Sequence, residues 1–250
     1  MLITERRNKI LELVNAQGSI RVVDLAKSLD VTTETIRKDL LYLNNQGLVQ
    51  KKFGGAIAVN DVTDRPPLER EFEAWEEKAA IARYAQNYIT GNNVIFIDSG
   101  STLMTFVKLL PPELEITIVT NSFSAVDPLA KTNNVVYFLG GEVSNITMST
   151  SGFWAVNALN SIKIDVAFLG TSGFQSHNGP TSKQFINAQI KKEIIRHSAQ
   201  NIVLADSSKF VSNAVLQYAN WSDIDALITD EKAPADIVEN LRKQTEVIVV

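Results

Sequence analysis

The sequence predicts an α/β chain in two parts: a small N-terminal winged helix-turn-helix and a C-terminal doubly wound, mainly parallel sheet. Three observations carry that expectation. Residues 1–57 hold three short amphipathic segments and a Gly-Gly hairpin. The remainder repeats one grammar: an apolar strand, a small polar loop, a helix. Charge divides at the same place. Residues 1–60 carry nine Lys/Arg against six Asp/Glu, a balance of +3, while the rest carries fifteen against twenty-two, a balance of −7. A positive piece on a negative body suits a protein that meets an acidic polymer at one end.

The first helix is expected from Thr4 to Ala16, with Ile10, Leu13 and Val14 on one face and Gly18 as its stop. The second spans Val22 to Leu29, where Val22, Leu25, Ala26 and Leu29 recur at helical spacing. Asp30-Val31-Thr32 makes a tight turn, and Thr32 caps a third helix from Thr33 to Gln46. Its inner face is Ile36, Leu40 and Leu43; its outer face is Thr33, Glu34, Arg37 and Lys38, with Asn44 and Asn45 farther along.

The first turns of such a third helix reach base edges in the major groove. Arg37 suits a guanine, Lys38 a phosphate, and Thr33 either one. Glu34 and Asp39 temper the positive charge of this patch. Residues 47–56 read as a wing, with Lys51 and Lys52 placed to meet the DNA backbone and Gly54-Gly55 as its turn. By pattern alone the three helices equally make a plain bundle or a protein-binding winged helix. A connector over residues 58–75 contains Pro66-Pro67, which cannot continue a helix.

In the body, residues 76–250, a helix is expected over Lys78–Thr90. Strands follow at Val94–Ile97, Ile116–Val119, Val135–Leu139, Val166–Leu169, Ile202–Ala205, Ala226–Ile228 and Val247–Val250. Several are continuous apolar runs, as strands buried on both faces should be. Ligands of such sheets bind at the carboxyl ends of strands. Five loops there are candidates: Asp98-Ser-Gly-Ser-Thr, Thr120-Asn-Ser, Gly140-Gly141, Gly170-Thr-Ser-Gly and Asp206-Ser-Ser-Lys-Phe.

Gly100, Ser101 and Thr102 open a helix expected over Leu103–Leu110 and form an anion cradle suited to phosphate. Lys209 supplies a cation on the same rim. Asp98 and Asn121 suit sugar hydroxyls, because carboxylate and amide oxygens accept from alcohols. Taken singly, each loop is as well explained by turn chemistry, and Asp206 equally by helix capping. It is the convergence of several that points to a small anionic ligand. Trp75, Trp154 and Trp221 read as core or interface, His177 and His197 as surface.

Composition excludes other chemistries. The chain has no cysteine and two histidines, which removes disulfides, thiolate zinc, iron–sulfur clusters and multi-histidine metal sites. The expectation is no metal and no cofactor. No apolar run approaches the ~18 residues of a membrane span, and the first ten residues lack an apolar signal core. A cytoplasmic protein without membrane contact is expected.

Thr35-Ile-Arg-Lys-Asp-Leu, preceded by Asp24-Leu-Ala-Lys-Ser-Leu-Asp-Val and followed by Phe53-Gly-Gly-Ala, resembles the signature of DeoR-family transcription regulators. The resemblance continues through Glu77-Lys78, Ile97-Asp-Ser-Gly-Ser-Thr, Val119-Thr-Asn-Ser, Leu139-Gly-Gly, Phe168-Leu-Gly-Thr-Ser-Gly, Leu204-Ala-Asp-Ser-Ser-Lys-Phe and Ile228-Thr-Asp, and so spans nearly the whole chain. It implies a sensor domain similar in fold to ribose-5-phosphate isomerase and a phosphorylated sugar as effector. The matching effector positions are Asp98, Gly100, Ser101, Thr102, Thr120, Asn121, Ser122, Gly140, Gly141, Gly170, Asp206 and Lys209. On the DNA side it implies that Arg37 and its neighbours face the operator; with the reading above, the candidates are Thr32, Thr33, Glu34, Thr35, Arg37, Lys38, Lys51 and Lys52.

One departure stands out. Asn187 and Gln189 occupy positions, before Lys191, where the family usually has acidic residues. An isomerase needs a general base, which an amide cannot supply. The expectation is therefore a non-enzymatic regulator, a repressor of a carbohydrate-metabolism operon. Its partners are double-stranded operator DNA, a phosphorylated sugar and further copies of itself, as a homodimer or homotetramer. The alternative is a sugar-phosphate isomerase-like enzyme with an accessory DNA-binding domain.

Overall fold

The computed structural model describes residues 3–17, 19–45, 49–52, 54–58, 67, 70 and 73–250. The expected helix stop at Gly18, the end of the third helix at Gln46, the wing residues Gly47, Leu48 and Phe53, and most of the Pro-rich connector lie outside the described residues. The chain divides into two compact units, Met1–Val62 and Thr63–Val250.

In the first unit the order is α1 (Ile3–Gln17), β1 (Ser19–Arg21), α2 (Val22–Ser28), α3 (Thr33–Asn45), β2 (Val49–Lys52) and β3 (Gly55–Ala58). The apolar faces read from helical spacing form one core: Ile10, Val14, Leu25, Ile36, Leu40 and Leu43 are all buried. Thr32 caps α3 as expected, its Oγ1 accepting the Thr35 N–H at 3.2 Å. The wing gains a strand that the sequence did not announce. β1 pairs antiparallel with β3, giving a three-stranded sheet in the order β1-β3-β2. Three residues are too few to show an alternating pattern. Gly55 permits the pairing, because a side chain there would collide with the Ile20 carbonyl.

The second unit begins with α4 (Trp75–Ala85), which tightens into a short 3-10 turn at Gln86–Tyr88 instead of running to Thr90. Then come β4 (Val94–Ile97), α5 (Ser101–Leu109), β5 (Thr117–Thr120), α6 (Phe123–Leu129) and β6 (Val135–Phe138). A hairpin of β7 (Glu142–Ser144) and β8 (Ser149–Ser151) precedes α7 (Phe153–Leu159). β9 (Ile164–Gly170), β10 (Thr181–Ser182), α8 (Phe185–His197), β11 (Ser198–Leu204) and β12 (Leu216–Gln217) follow, then β13 (Ala226–Thr229), α9 (Ala235–Leu241) and β14 (Glu246–Val249).

All seven expected strands join one sheet, in the order β14-β13-β11-β9-β4-β5-β6. Every neighbouring pair is parallel. Two cores sandwich it, divided by the period-2 alternation of strand side chains. Phe96, Ala167, Leu169, Val203 and Leu227 face α7, α8 and α9. Ile95, Ile97, Phe168, Ile202 and Ile228 face α4, α5 and α6. Burial on both faces is why these strands read as unbroken apolar runs.

The chain builds β4, β5 and β6 outward in one direction, then returns to lay β9, β11, β13 and β14 in the other. The strand order reverses between β4 and β9. A crevice opens at the carboxyl ends of strands flanking such a reversal, because the two following connections leave on opposite faces.

Candidate functional site

In the first unit, Glu34, Arg37 and Lys38 are exposed along α3, Thr32 and the half-buried Thr33 and Thr35 surround its N-terminus, and Lys51 and Lys52 are exposed on the wing. Arg37 reaches Glu34 at 3.5 Å across one turn. Asn44 Oδ1 accepts the Lys51 N–H at 2.8 Å and so ties α3 to β2. Lys51 stands opposite buried Ala56 and Lys52 opposite Gly55, so the two lysines leave opposite faces of the strand. Asp39 corrects the sequence reading. It does not dilute the outer charge, because it is buried, accepting from Arg6 Nε at 2.6 Å and Arg7 Nε at 3.0 Å. The Arg7 guanidinium in turn stacks 3.6 Å from the Tyr42 ring centre. The exposed side of α3 therefore carries Arg37 and Lys38 against Glu34 alone.

In the second unit, the reversal between β4 and β9 opens a polar cleft. Its walls include Ser99–Thr102, Gly170–Ser172, Ser182, Asn187, Lys191 and Lys209, with Pro67, Arg70 and Thr147 at its margin. Gly100, at φ +144°, takes a backbone conformation that other residues adopt only under strain and starts α5 against the cleft. The first amides of α5 and three cationic side chains thus meet in one place.

Behind the lining a buried network crosses the reversal. Asp98 Oδ2 accepts the Gly170 N–H at 3.0 Å and also the Lys191 ammonium. Lys191 donates again to the Gly170 carbonyl at 2.9 Å, which also takes the Tyr218 hydroxyl at 2.9 Å. Burial, and then the charge of Asp98, push the Tyr218 phenol well above its ordinary range, so it stays a donor. Two acceptors remain. Asp98 Oδ1 and Asn187 Oδ1 are buried with no hydrogen-bond partner among the described residues. Buried polar atoms are nearly always paired, so these two are open to a further donor at the cleft. Lys209 is depressed below its usual range, first by burial, and further by Arg70 and Lys183, while Asp206 opposes the shift. Cations within electrostatic reach of one another in a partly dry cleft favour an anion between them.

Arg70 is held near this cleft by Lys78, whose ammonium is buried in α4. It donates to the carbonyls of Arg70 and Glu73, at 2.6 Å each. Burial lowers the Lys78 pKa to about 8. Because the unfolded chain keeps an ordinary lysine near 10.5, it binds more protons than the folded one between those values, and stability rises with pH through that window. The Lys78→Met variant removes this dependence. The wild-type unfolding free energy should gain about 2 kcal/mol relative to Lys78→Met between pH 7 and 10. Parallel pH profiles in chemical denaturation would refute the buried charge.

The family model for the DeoR-like helix-turn-helix domain matches residues 6–62, and that for the DeoR C terminal sensor domain matches residues 73–231. The chain belongs to the DeoR family. It is a DNA-binding transcriptional regulator of the helix-turn-helix type, with a C-terminal sensor domain. It is 34% identical to the HTH-type transcriptional regulator YulB of Bacillus subtilis (strain 168), over 100% of this chain and 98% of that one. It is 29% identical to the glycerol-3-phosphate regulon repressor of Escherichia coli (strain K12), over 95% of each. Among solved structures, ribose 5-phosphate isomerase A of Methanocaldococcus jannaschii aligns at 18% identity and a TM-score of 0.42, over 55% of each chain.

Within this DeoR-family sensor the expected effector residues part into two groups. Gly100, Ser101, Thr102, Gly170 and Lys209 line the cleft, and Asp98 lies directly behind them. Asp206 stands one strand farther on, capping the turn at Ser207–Lys209 through bonds to Ser208. Thr120, Asn121 and Ser122 are buried at the end of β5, outside the cleft lining. Thr120 donates to the Ile97 carbonyl at 2.6 Å, and the Thr150 N–H bonds to the Asn121 carbonyl at 2.8 Å. Gly140 and Gly141 are exposed and lead into the β7–β8 hairpin.

Lys191, Asn187, Thr171, Tyr218 and Arg70 were not among the expected site residues, though all line or support the cleft. Lys191 and Asn187 did carry a signal, since they sit in the stretch where the sequence departs from the family pattern. The structure separates the two departures: Asn187 is buried at the cleft and Gln189 is exposed. Of the tryptophans, Trp221 is core, packing edge-on to Phe174 at 5.0 Å, while Trp75 and Trp154 are exposed.

Proposed function

We propose that this DeoR-family chain is a repressor of a carbohydrate-metabolism operon, controlled by a phosphorylated sugar bound in the second unit. The observation that carries the reading is the pairing of anion-binding groups with unfilled acceptors in one cleft. Arg70, Lys191, Lys209 and the N-terminus of α5 suit a phosphate. Asp98 Oδ1 and Asn187 Oδ1 can only accept, so they suit hydroxyl groups. A ligand carrying both is a polyol or sugar phosphate. The relative named for a glycerol-3-phosphate regulon supports the same class.

On the DNA side, Thr32, Thr33, Glu34, Thr35, Arg37 and Lys38 of the α3 N-terminus face operator bases and phosphates, and Lys51 and Lys52 contact the backbone. One recognition helix reads one half-site, so the working form is a homodimer or homotetramer. Effector binding shifts operator affinity, and operator shifts effector affinity by the same factor. Operator binding accords with a cytoplasmic location; among the described residues no helix is long and apolar enough to cross a membrane. The isomerase reading has less support. At position 187, where the family usually carries an acid, the cleft presents the amide of Asn187, which cannot take a proton from a sugar carbon.

The test is a thermal-shift titration of the full chain with a panel of phosphosugars and the matching free sugars. A cognate phosphosugar at a hundred times its dissociation constant should raise the melting temperature by roughly 5 °C, the equivalent of about 2.7 kcal/mol. No shift with any phosphosugar, or an equal shift with the free sugar, would refute the assignment.

A further inference from the structure

We propose that the β6 edge of the sensor unit is the face through which two copies of this chain join. The proposal rests on the reading that the regulator works as a homo-oligomer, and supplies its surface.

β6 is the outermost strand of the seven-stranded sheet and pairs on its inner side with β5. Its outer side presents backbone donors and acceptors in register, a template for another strand. Natural edges of this kind are guarded by lysine, proline or a bulge. This one reads Val-Val-Tyr-Phe, with Val135 54% and Tyr137 57% exposed. The apolar surface continues at the same end of the sheet. Phe123 packs edge-on to Phe138 with ring centres 6.2 Å apart. Beyond the β7–β8 hairpin, α7 opens with Phe153 and Trp154, which are 77% and 76% exposed. Taking the usual size of aromatic side chains, these six residues leave on the order of 700 Å² of largely apolar surface. Val135 and Tyr137 project from one face of the edge and Phe138 from the other, and the six together approach the roughly 800 Å² each partner contributes to a stable interface.

Charge selects the occupant. Between Lys131 and Lys163 the only charged residue is Glu142, in a body whose balance from residue 61 onward is −7. Two acidic bodies repel wherever their charges face each other, and this stretch is where they approach with least repulsion. The stretch between these two lysines offers a nucleic acid no cation. A second copy fits by symmetry as well. A two-fold axis beside β6 sets two identical edge strands antiparallel, so each closes the other and Tyr137 meets its own counterpart region. The two seven-stranded sheets then run on as one.

The experiment is sedimentation velocity on the full chain at micromolar concentration. The wild type should sediment at twice the 27.6 kDa chain mass or a higher multiple. Two variants place charge on exposed positions: Val135→Lys with Tyr137→Lys, and Phe153→Ser with Trp154→Glu. Each should raise the dissociation constant at least 100-fold and shift the population toward single chains, while keeping the wild-type phosphosugar response as proof of folding. Val249→Lys, on the opposite edge strand β14, should leave the mass unchanged. An oligomeric wild type whose β6 and α7 variants keep its mass overturns the surface. A wild type that stays at single-chain mass overturns the oligomer reading and the surface with it.

Discussion

Replacing Lys191 with methionine should lower the melting temperature of the sensor by roughly 10 °C and abolish its response to phosphosugars. The ammonium is buried and pairs with Asp98, itself buried, and both bond to Gly170. Removing one partner of a buried ion pair leaves the other charge uncompensated, at a cost of about 3–5 kcal/mol. In a domain of this size each kcal/mol moves the midpoint by about 2–4 °C. The second variant separates stability from binding. Asp98→Asn with Lys191→Met removes both charges and should recover much of the lost stability, yet stay silent to phosphosugars. A single variant that melts within 2 °C of wild type would show that the pair does not hold the cleft together. A double variant with a normal phosphosugar shift would take both residues out of the binding site.

Arg37→Ala should weaken operator binding by roughly 10- to 100-fold per half-site, the range expected for losing one base-reading arginine, with no loss of fold. Its partner Glu34 is as exposed as Arg37 itself, and such surface pairs contribute little to stability. The melting temperature of the first unit should stay within about 2 °C of wild type. Wing variants should behave differently. Lys51→Ala with Lys52→Ala should weaken binding to all sequences alike and reduce the slope of log affinity against log salt by about 1.8 per half-site, since each phosphate contact contributes about 0.9. Mobility-shift titrations on operator and unrelated duplexes at several salt concentrations distinguish the two. An Arg37→Ala protein of unchanged operator affinity would remove α3 from the groove, and an unchanged salt slope would remove the wing from the backbone.

Much of this architecture was legible because its physical cause is local. Ile36, Leu40 and Leu43 recur at helical spacing, and Thr32 has a side chain that caps, so α3 follows from short-range geometry. Both faces of the sheet are covered, so its strands are apolar throughout and stand out without alternation. The pieces missed are those whose cause is distant. β1 exists because Gly55 lets a neighbouring backbone approach. Asp39 looks exposed by sequence spacing, and only the fold of α1 against α3 brings Arg6 and Arg7, more than thirty positions earlier, onto it.

The same division runs through the sensor cleft. The sequence by itself determined that loops rich in Gly, Ser and Thr end the strands on one rim, and that Ser101 and Thr102 start a helix there. It also determined that no thiol or multi-histidine chemistry is available. It could not order the strands. Seven strands at about 4.8 Å spacing make a rim roughly 29 Å wide, far too wide for one small ligand to touch every loop. The tertiary structure sets β4 beside β9, which joins the Asp98 and Gly170 loops and draws in Lys191 from 93 residues away. It leaves Thr120–Ser122 and Gly140–Gly141 one and two strands off, beside the β7–β8 hairpin. Local pattern records which groups can bind an anion. Only strand order, a property of the whole chain, decides which of them meet.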